Sequence, residues 1–562
     1  MAPARALLLP LLAALSAAER PSSATSRGTH VPKAMSLPPA RATPLAARAA
    51  RERAGVTVPR QRPGLAKGPT ALALSSRRST RELSAIVPRA QGDSQASSTD
   101  QSVLPAWLPL FVVPALGGSL FGYDIGATSS VVRLLGTGSS DLGSLDSLQL
   151  GLVASLPLLG AVVASALLIG IGDKNIGRKT EMYVASVLYG AGTLVQSLSG
   201  DLNPVLFGRL IYGLGIGIAM HAAPLYIAET TPTELRGKLV SLKEAAIVLG
   251  IVGGYAAGAA FNSDAPDAWR LVFQVALPLE AAMLALNALL LPESPRWLAL
   301  RGLRDKAVQA LMRGQRLDMD EAQSQVNQMM ELSGSDGAAE DDLDFVERTK
   351  LLVSDPLNRK ALQIGVGLVL LQQLSGQPSV LYYANRIFEK AGLGFEAAVG
   401  VGVFKTIMTL VSVGLVENPK WGRRPLLLTG TAGMAASLGA LSAIFALAGG
   451  EEPSSTAVLA CVVAFVGFYQ IGFGPVTWLI LSEIFPLKTR SAALSIGTLS
   501  NFASNFLVSA LFEFERERVG ESALFAQFAI IAAFAVWFET SQVPETRGLS
   551  LEQIEEKLKE NL

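Results

Sequence analysis

Residues 149–171 read QLGLVASLPLLGAVVASALLIGI, without a single charged side chain. At 1.5 Å per residue a helix of that length is about 35 Å long, enough to cross the ~30 Å hydrocarbon core of a bilayer. Runs of the same kind recur on both sides of it. Twelve apolar spans can be read, near 105–130, 149–171, 180–199, 203–228, 239–261, 271–291, 361–384, 396–416, 424–447, 456–481, 490–512 and 523–543. The polar stretch Pro292–Lys360 separates the first six from the last six. Six plus six around a long central loop predicts two similar halves and an all-α membrane protein of twelve transmembrane helices.

Composition agrees. Of the 562 residues 17% are charged, against about 25% in soluble domains, and half are hydrophobic. One cysteine, Cys461, excludes a disulfide framework, and two histidines, His30 and His221, leave little for a zinc site or a histidine-based triad. A net charge of +1 argues against nucleic-acid binding through a basic patch. No cofactor or metal is expected.

That net charge hides two unlike parts. Residues 1–100 hold 15 Lys+Arg against 5 Asp+Glu, which leaves 32 of the 47 basic and 41 of the 46 acidic residues for the rest. An Ala-, Ser-, Arg- and Pro-rich leader poor in acids has the composition of an organelle transit peptide, expected over residues 1–95. Ala6–Ala18, an apolar stretch after Arg5, has the form of a secretory h-region. A signal followed by a transit segment would suit a plastid reached through the secretory pathway. A mitochondrial address and a plain secretory signal or disordered tail are the alternatives. Beyond the leader, the expected units are an N-terminal half (96–291), a soluble helical linker (292–360) with helical periodicity in patches such as Asp320–Leu332, a C-terminal half (361–543) and a tail (544–562).

Loop charges give an orientation. Loops after even-numbered spans hold Lys174, Arg178 and Lys179, then Arg236 and Lys238, the run from Arg296, Lys420 with Arg423 and Arg424, and Lys488 with Arg490. Loops after odd-numbered spans are mostly acidic, as at Asp264 and Asp267 or Glu451 and Glu452. By the positive-inside rule the even loops and both termini share one side, which import into a plastid would make the stroma. Glycines spaced within spans, such as Gly208, Gly213, Gly215 and Gly217, or Gly250, Gly254 and Gly258, predict close helix contact.

Charges inside spans are costly and usually face a cavity or a partner. Five stand out: Asp124, Arg209, Glu244, Glu280 and Lys405. Two opposite-charge pairings are open, Asp124 with Arg209 and Glu244 with Lys405. A buried acid that can be neutralised is what a proton-coupled carrier needs; a static ion pair that fixes packing is the plainer reading. Glu280 reads as a group near a helix interface. Uncharged polar groups cluster too, in Gln372-Gln373-Leu374-Ser375-Gly376-Gln377-Pro378 with Tyr382-Tyr383, in Gly472-Phe473-Gly474-Pro475-Val476-Thr477-Trp478, and at Asn501 and Asn505 one turn apart. Gly376 and Pro378 break regular helix, freeing backbone groups that a cavity or neighbour must satisfy. Amides beside an aromatic plate suit a neutral polyhydroxylated ligand.

At these residues the chain resembles the sugar-porter family of the major facilitator superfamily, from about residue 105 onward. The motifs are Gly117-Gly118-Ser119-Leu120-Phe121-Gly122-Tyr123-Asp124, Gly208-Arg209 with Gly213, Gly215 and Gly217, Pro292-Glu293-Ser294-Pro295-Arg296-Trp297-Leu298, Gln372-Gln373 with Tyr382-Tyr383, Gly422-Arg423-Arg424, Ser482-Glu483-Ile484-Phe485-Pro486 and Pro544-Glu545-Thr546-Arg547-Gly548. The resemblance is greatest to the plastid xylose–proton-symporter-like branch of plants and algae. It implies a monosaccharide and a proton as partners, in a bilayer, handled by a monomer. It implies a sugar site at Phe121, Gln372, Gln373, Tyr382, Trp478 and Asn501, with Glu244 at a further sugar-contacting position. Asp124 would be the proton-coupling acid, with Arg209 its partner. Arg178, Glu229, Arg236, Glu293, Arg296, Arg423, Glu483 and Arg490 would be the gating charges.

The chain departs from that pattern at Glu244, where the family has Gln, and at Pro378 and Lys405, where it has Asn. The loops Gly172–Arg178 and Glu417–Gly422 look lengthened. These departures leave open the sugar preference and whether a second ionisable pair joins the coupling. The leading expectation is a proton-coupled monosaccharide carrier of a plastid envelope. A uniporter on the same fold is its rival. A membrane sugar sensor would need a long signalling tail where only Gln542–Leu562 stands, and an enzyme would need a nucleophile–base pair or metal cluster that the sequence lacks.

Overall fold

The computed structural model describes residues 107–560, apart from 138–139, 172–175, 232, 264, 336–344, 418–419, 450 and 550. The expected targeting segment lies outside the described residues, as does most of the loop after the second span. Every regular element described is a helix. The first half holds α1 (Trp107–Gly136), α2 (Ser147–Ile171), α3 (Arg178–Leu198), α4 (Leu202–Thr230), α5 (Thr233–Ala260) and the broken pair α6 (Ala268–Gln274) and α7 (Leu277–Leu290). Four shorter helices follow: α8 (Pro295–Leu300), α9 (Arg304–Gln315), α10 (Met319–Ser335) and α11 (Phe345–Ser354). The second half holds α12 (Pro356–Leu374), α13 (Gln377–Tyr382), α14 (Ala384–Lys390), α15 (Phe395–Glu417), α16 (Arg423–Ala448), α17 (Ser455–Ile471), α18 (Phe473–Ile484) and α19 (Leu487–Gln542), and α20 (Leu551–Glu560) ends the described chain.

Nine helical stretches among the described residues are long and apolar enough to cross a membrane. The expected spans each have a helix counterpart once three features are read. α3 is 21 residues long but less apolar than the nine. The seventh span is broken where Gly376 takes φ 88° between α12 and α13. α19 covers 56 residues but is two helices, each long enough for one span. Gly520, at φ 79° and ψ 163°, divides it into the eleventh and twelfth spans. Outward faces carry Leu167, Phe207, Leu289, Leu410, Leu447 and Ile530, all exposed. Water would disfavour so much bare apolar surface; lipid suits it.

Glycine sets how closely helices cross. On α1, a Cβ at Gly122 would lie 1.8 Å from the carbonyl oxygen of Ile247 on α5; conversely, one at Gly250 would lie 2.0 Å from the Ser119 carbonyl oxygen. The two backbones therefore touch, as small residues at this spacing allow. The halves meet through α2 against α19 and α5 against α15. In the connecting segment, Leu298, Ala307, Val308, Leu311, Ala322 and Val326 form a small core of their own.

Direct bonds between the halves sit at one end. Tyr255 Oη donates to the Leu381 carbonyl at 2.7 Å, Asn385 Nδ2 donates to Ser130 Oγ at 3.0 Å, and Arg133 pairs with Glu389 at 3.4 Å. All belong to the odd-loop side, as does the bond of Ser147 to Glu517. Among the described residues the bonds that join the two halves directly thus lie at the odd-loop side.

Candidate functional site

The expected pair of α1 and α4 is made. Arg209 Nη1 donates to Asp124 Oδ1 and Nη2 lies 3.4 Å from Oδ2. The rest of the guanidinium is accounted for: Nη2 donates to Thr128 Oγ1 at 2.7 Å, Nε donates to the Val153 carbonyl at 2.8 Å, and the Phe273 ring centroid lies 5.1 Å away. Asp124 is 2% exposed and Arg209 0%. Two buried charges hold together only with such satisfaction of their remaining valences, and losing one leaves the other costly. A proton on Asp124 would do that to Arg209. Nearby, buried Glu280 accepts from Thr193 Oγ1 at 2.6 Å, and its Oε2 has no hydrogen-bond partner. Glu280 thus sits at the α3–α7 interface.

The polar cluster forms where helices break. Gln372 Nε2 donates to the Phe473 carbonyl in the first turn of α18, just after the interruption at Gly472, which has φ −108° and ψ −93°. Gln372 Oε1 in turn accepts from Gln373 Nε2 at 3.3 Å and from Asn501 Nδ2 at 3.5 Å. Phe121, from the other half, meets Phe502 edge-on at 6.2 Å, beside Asn501. Four buried polar atoms here have no hydrogen-bond partner: Gln373 Oε1, Ser379 Oγ, Tyr382 Oη and Thr477 Oγ1. Unpaired buried polar atoms are costly, and a hydroxylated ligand would satisfy them. Trp478, on α18 beyond Phe473, is 37% exposed.

Glu244 does not join this cluster. Its carboxylate is 57% exposed and pairs with Lys243 at 2.7 Å. The pairing with Lys405 left open by the sequence is not a direct bond: buried Lys405 donates to Gln470 Oε1 at 2.7 Å. The glycine-mediated contact of α5 with α15 lies further toward the odd side, where Gly402 meets Val252 and Tyr255.

The gating charges assemble as two copies of one motif at the even-loop side. In the first, Arg178 pairs with Glu181 at 3.2 Å and Glu229 at 3.4 Å, and Glu229 Oε2 accepts from Ser294 Oγ. Glu293 accepts the Lys179 N–H at 3.0 Å, placing a carboxylate on the N-terminus of α3, where helix dipole and free N–H groups favour it. Burial pushes the Glu293 carboxyl above the usual range, against those N–H bonds and the nearby Lys179 and Arg178. In the second copy Arg423 pairs with Glu483 at 3.4 Å, and Glu545 accepts the N–H groups of Arg423 at 2.9 Å and Arg424 at 3.2 Å at the start of α16. A Cβ at Gly177 or at Gly422 would come 2.2 Å from the carboxylate of Glu293 or Glu545 respectively, so a larger residue in either copy would push its carboxylate aside. Arg490 Nε and Nη2 instead donate to the Phe485 carbonyl at 3.2 and 3.0 Å. Arg296 is exposed and outside the network; the Arg236 side chain lies outside the described residues. Glu181 and Glu545 were not anticipated. Glu545 had a signal, since Pro544-Glu545-Thr546 repeats Pro292-Glu293-Ser294.

The profile of the family described as "Sugar (and other) transporter" matches residues 110–558. The chain is 43% identical over 496 residues to "D-xylose-proton symporter-like 3, chloroplastic" of Arabidopsis thaliana, covering 83% of this chain and 85% of that one. It is 33% identical over 455 residues to the "Glucose transporter GlcP" of Staphylococcus epidermidis, covering 80% and 97%. Among solved structures, the inward-open xylose transporter XylE of E. coli matches with a TM-score of 0.65 at 27% identity, covering 80% of this chain and 98% of that one.

Proposed function

Because the chain belongs to the sugar transporter family, of major facilitator fold, we propose that it moves a monosaccharide of the glucose or xylose type across a plastid envelope membrane by proton symport. The two halves rock around a midplane site as a monomer. Phe121, Gln372, Gln373, Tyr382, Trp478 and Asn501 receive the sugar, whose hydroxyls satisfy the unpaired atoms of the seventh and tenth spans. Asp124 takes the proton. Neutralised, it releases Arg209, and the first half rearranges around bound sugar. The even-side charge motifs gate access from the stroma.

The observation that carries this reading is a buried, fully bonded Asp124–Arg209 pair in the same fold as a cluster of unpaired amide and hydroxyl groups. Tyr382 comes from the other half on α13, a helix that packs against the α1 that carries Asp124. One proton crossing 100 mV supplies about 2.3 kcal/mol, enough for roughly 50-fold accumulation of a neutral sugar. The test is uptake of a sugar panel into reconstituted vesicles with and without a pH gradient. Gradient-dependent accumulation of at least one sugar supports symport; uptake that only equilibrates, whatever the gradient, makes the protein a uniporter. For the address, residues 1–95 fused to a fluorescent protein should enter plastids, and retention in mitochondria or the secretory pathway contradicts that part.

A further inference from the structure

The eighth span carries a buried cation with no anion beside it. Lys405 is 5% exposed, its Nζ donates to Gln470 Oε1 at 2.7 Å, and the Tyr469 ring centroid lies 5.0 Å away. No carboxylate among the described residues is within ion-pair distance of it. One amide and a ring compensate an ammonium poorly once it has left water. The amide is held in place: Gln470 Nε2 donates to Thr409 Oγ1 at 2.8 Å, one turn beyond Lys405.

Glu244 is the matching anion in the other half. It shares a face of α5 with Val248 and Val252, at i, i+4 and i+8, and Val252 meets Gly402 of α15. The two helices run antiparallel, α5 from the even to the odd side and α15 the reverse. Both Lys405 and Glu244 therefore lie on the even side of that contact, away from the odd-side bonds between the halves. Glu244 is exposed and pairs here with the buried Lys243 beside it. Closing the even side brings α5 toward α15 and these two charges toward each other.

We propose that Glu244 and Lys405 form an ion pair between the halves only when the even side closes. The pair holds the occluded state and parts when the cavity opens, Glu244 to Lys243 and Lys405 to Gln470. This rests on the reading that the halves rock around a sugar site. It makes Glu244 a positioning residue and not a sugar contact.

The test uses the full chain in lipid, with Cys461 replaced by Ser and spin labels at Leu167 on α2 and Val411 on α15, both exposed near the even-side ends of their helices. The distance distribution gives the ratio of closed to open molecules, with and without sugar. Glu244→Gln should lower that ratio roughly fivefold, the scale of a partly exposed pair. Lys405→Met should do the same, the two together should do no more than either, and the exchange E244K/K405E should restore the wild-type ratio. An unchanged ratio in Glu244→Gln, or an exchange variant as open as the single variants, overturns the proposal. Should Lys405 variants fail to fold, Glu244→Gln still decides, since its side chain is exposed. If no sugar shifts the wild-type distribution, the transport reading fails separately, and the sugar-free comparison of wild type with Glu244→Gln still decides the pair.

Discussion

Gln373 and Tyr382 show how a site is written in unsatisfied atoms. Each is buried, and Gln373 Oε1 and Tyr382 Oη have no protein hydrogen-bond partner. Gln373→Ala removes one such acceptor together with its amide donor, and each hydrogen bond to a neutral group is worth about 0.5–1.5 kcal/mol. Sugar affinity, measured by binding to purified protein, should fall roughly 2- to 12-fold per bond lost, with membrane delivery intact. Wild-type affinity for every sugar tested would remove Gln373 from the site. At this scale the sequence was legible for residue types and less so for partners. Asp124 and Arg209 could be paired because both are charges in apolar runs of one half. The partner of Glu244 could not, because it is Lys243, and side chains adjacent in a helix do not ordinarily face each other.

At the scale of helices, two features can be tested by substitution. Gly250→Val would drive a side chain into the Ser119 carbonyl and force α1 from α5; overpacking of this kind costs about 1–3 kcal/mol. Gly439, with nothing within 4 Å, is the control. Melting in detergent should fall for Gly250→Val and hold or rise for Gly439→Ala, and equal melting of the two would mean the glycine contact is unimportant. The carboxylates that cap α3 and α16 make the second case. Glu293→Gln and Glu545→Gln each weaken charge-assisted bonds worth about 1.5–3 kcal/mol, so both should lower the melting temperature, and by similar amounts. A loss confined to one would contradict the twofold repeat of the motif. Apolar runs gave away the spans through their length alone, and Gly376 and Pro378 gave away the break in the seventh. The charged link Phe514-Glu515-Arg516-Glu517-Arg518 gave away the separation of the last two spans, and the chain turns just after it at Gly520. The helix α20 was missed because the tail is short and polar, though Ile554 and Leu558 bury one face of it.

For the whole molecule, the decisive property is that one half carries the titratable pair and the other most of the polar cluster, with Phe121 and Tyr382 reaching between them. A proton on one side of the site and a sugar on the other are coupled only if both bias the same rocking motion. Sequence could place both groups in their spans but not the closed odd side, which depends on contacts such as Asn385 with Ser130 between residues far apart in the chain. The central claim is that Asp124 couples proton to sugar. Asp124→Asn keeps the shape and removes the titration. The most direct measurement compares it with wild type in reconstituted vesicles, once for uphill uptake driven by a pH gradient and once for sugar counterflow. The account predicts that the Asn variant loses uphill uptake and keeps counterflow, which needs only exchange of bound sugar. An Asn variant that still concentrates sugar against its gradient would contradict it.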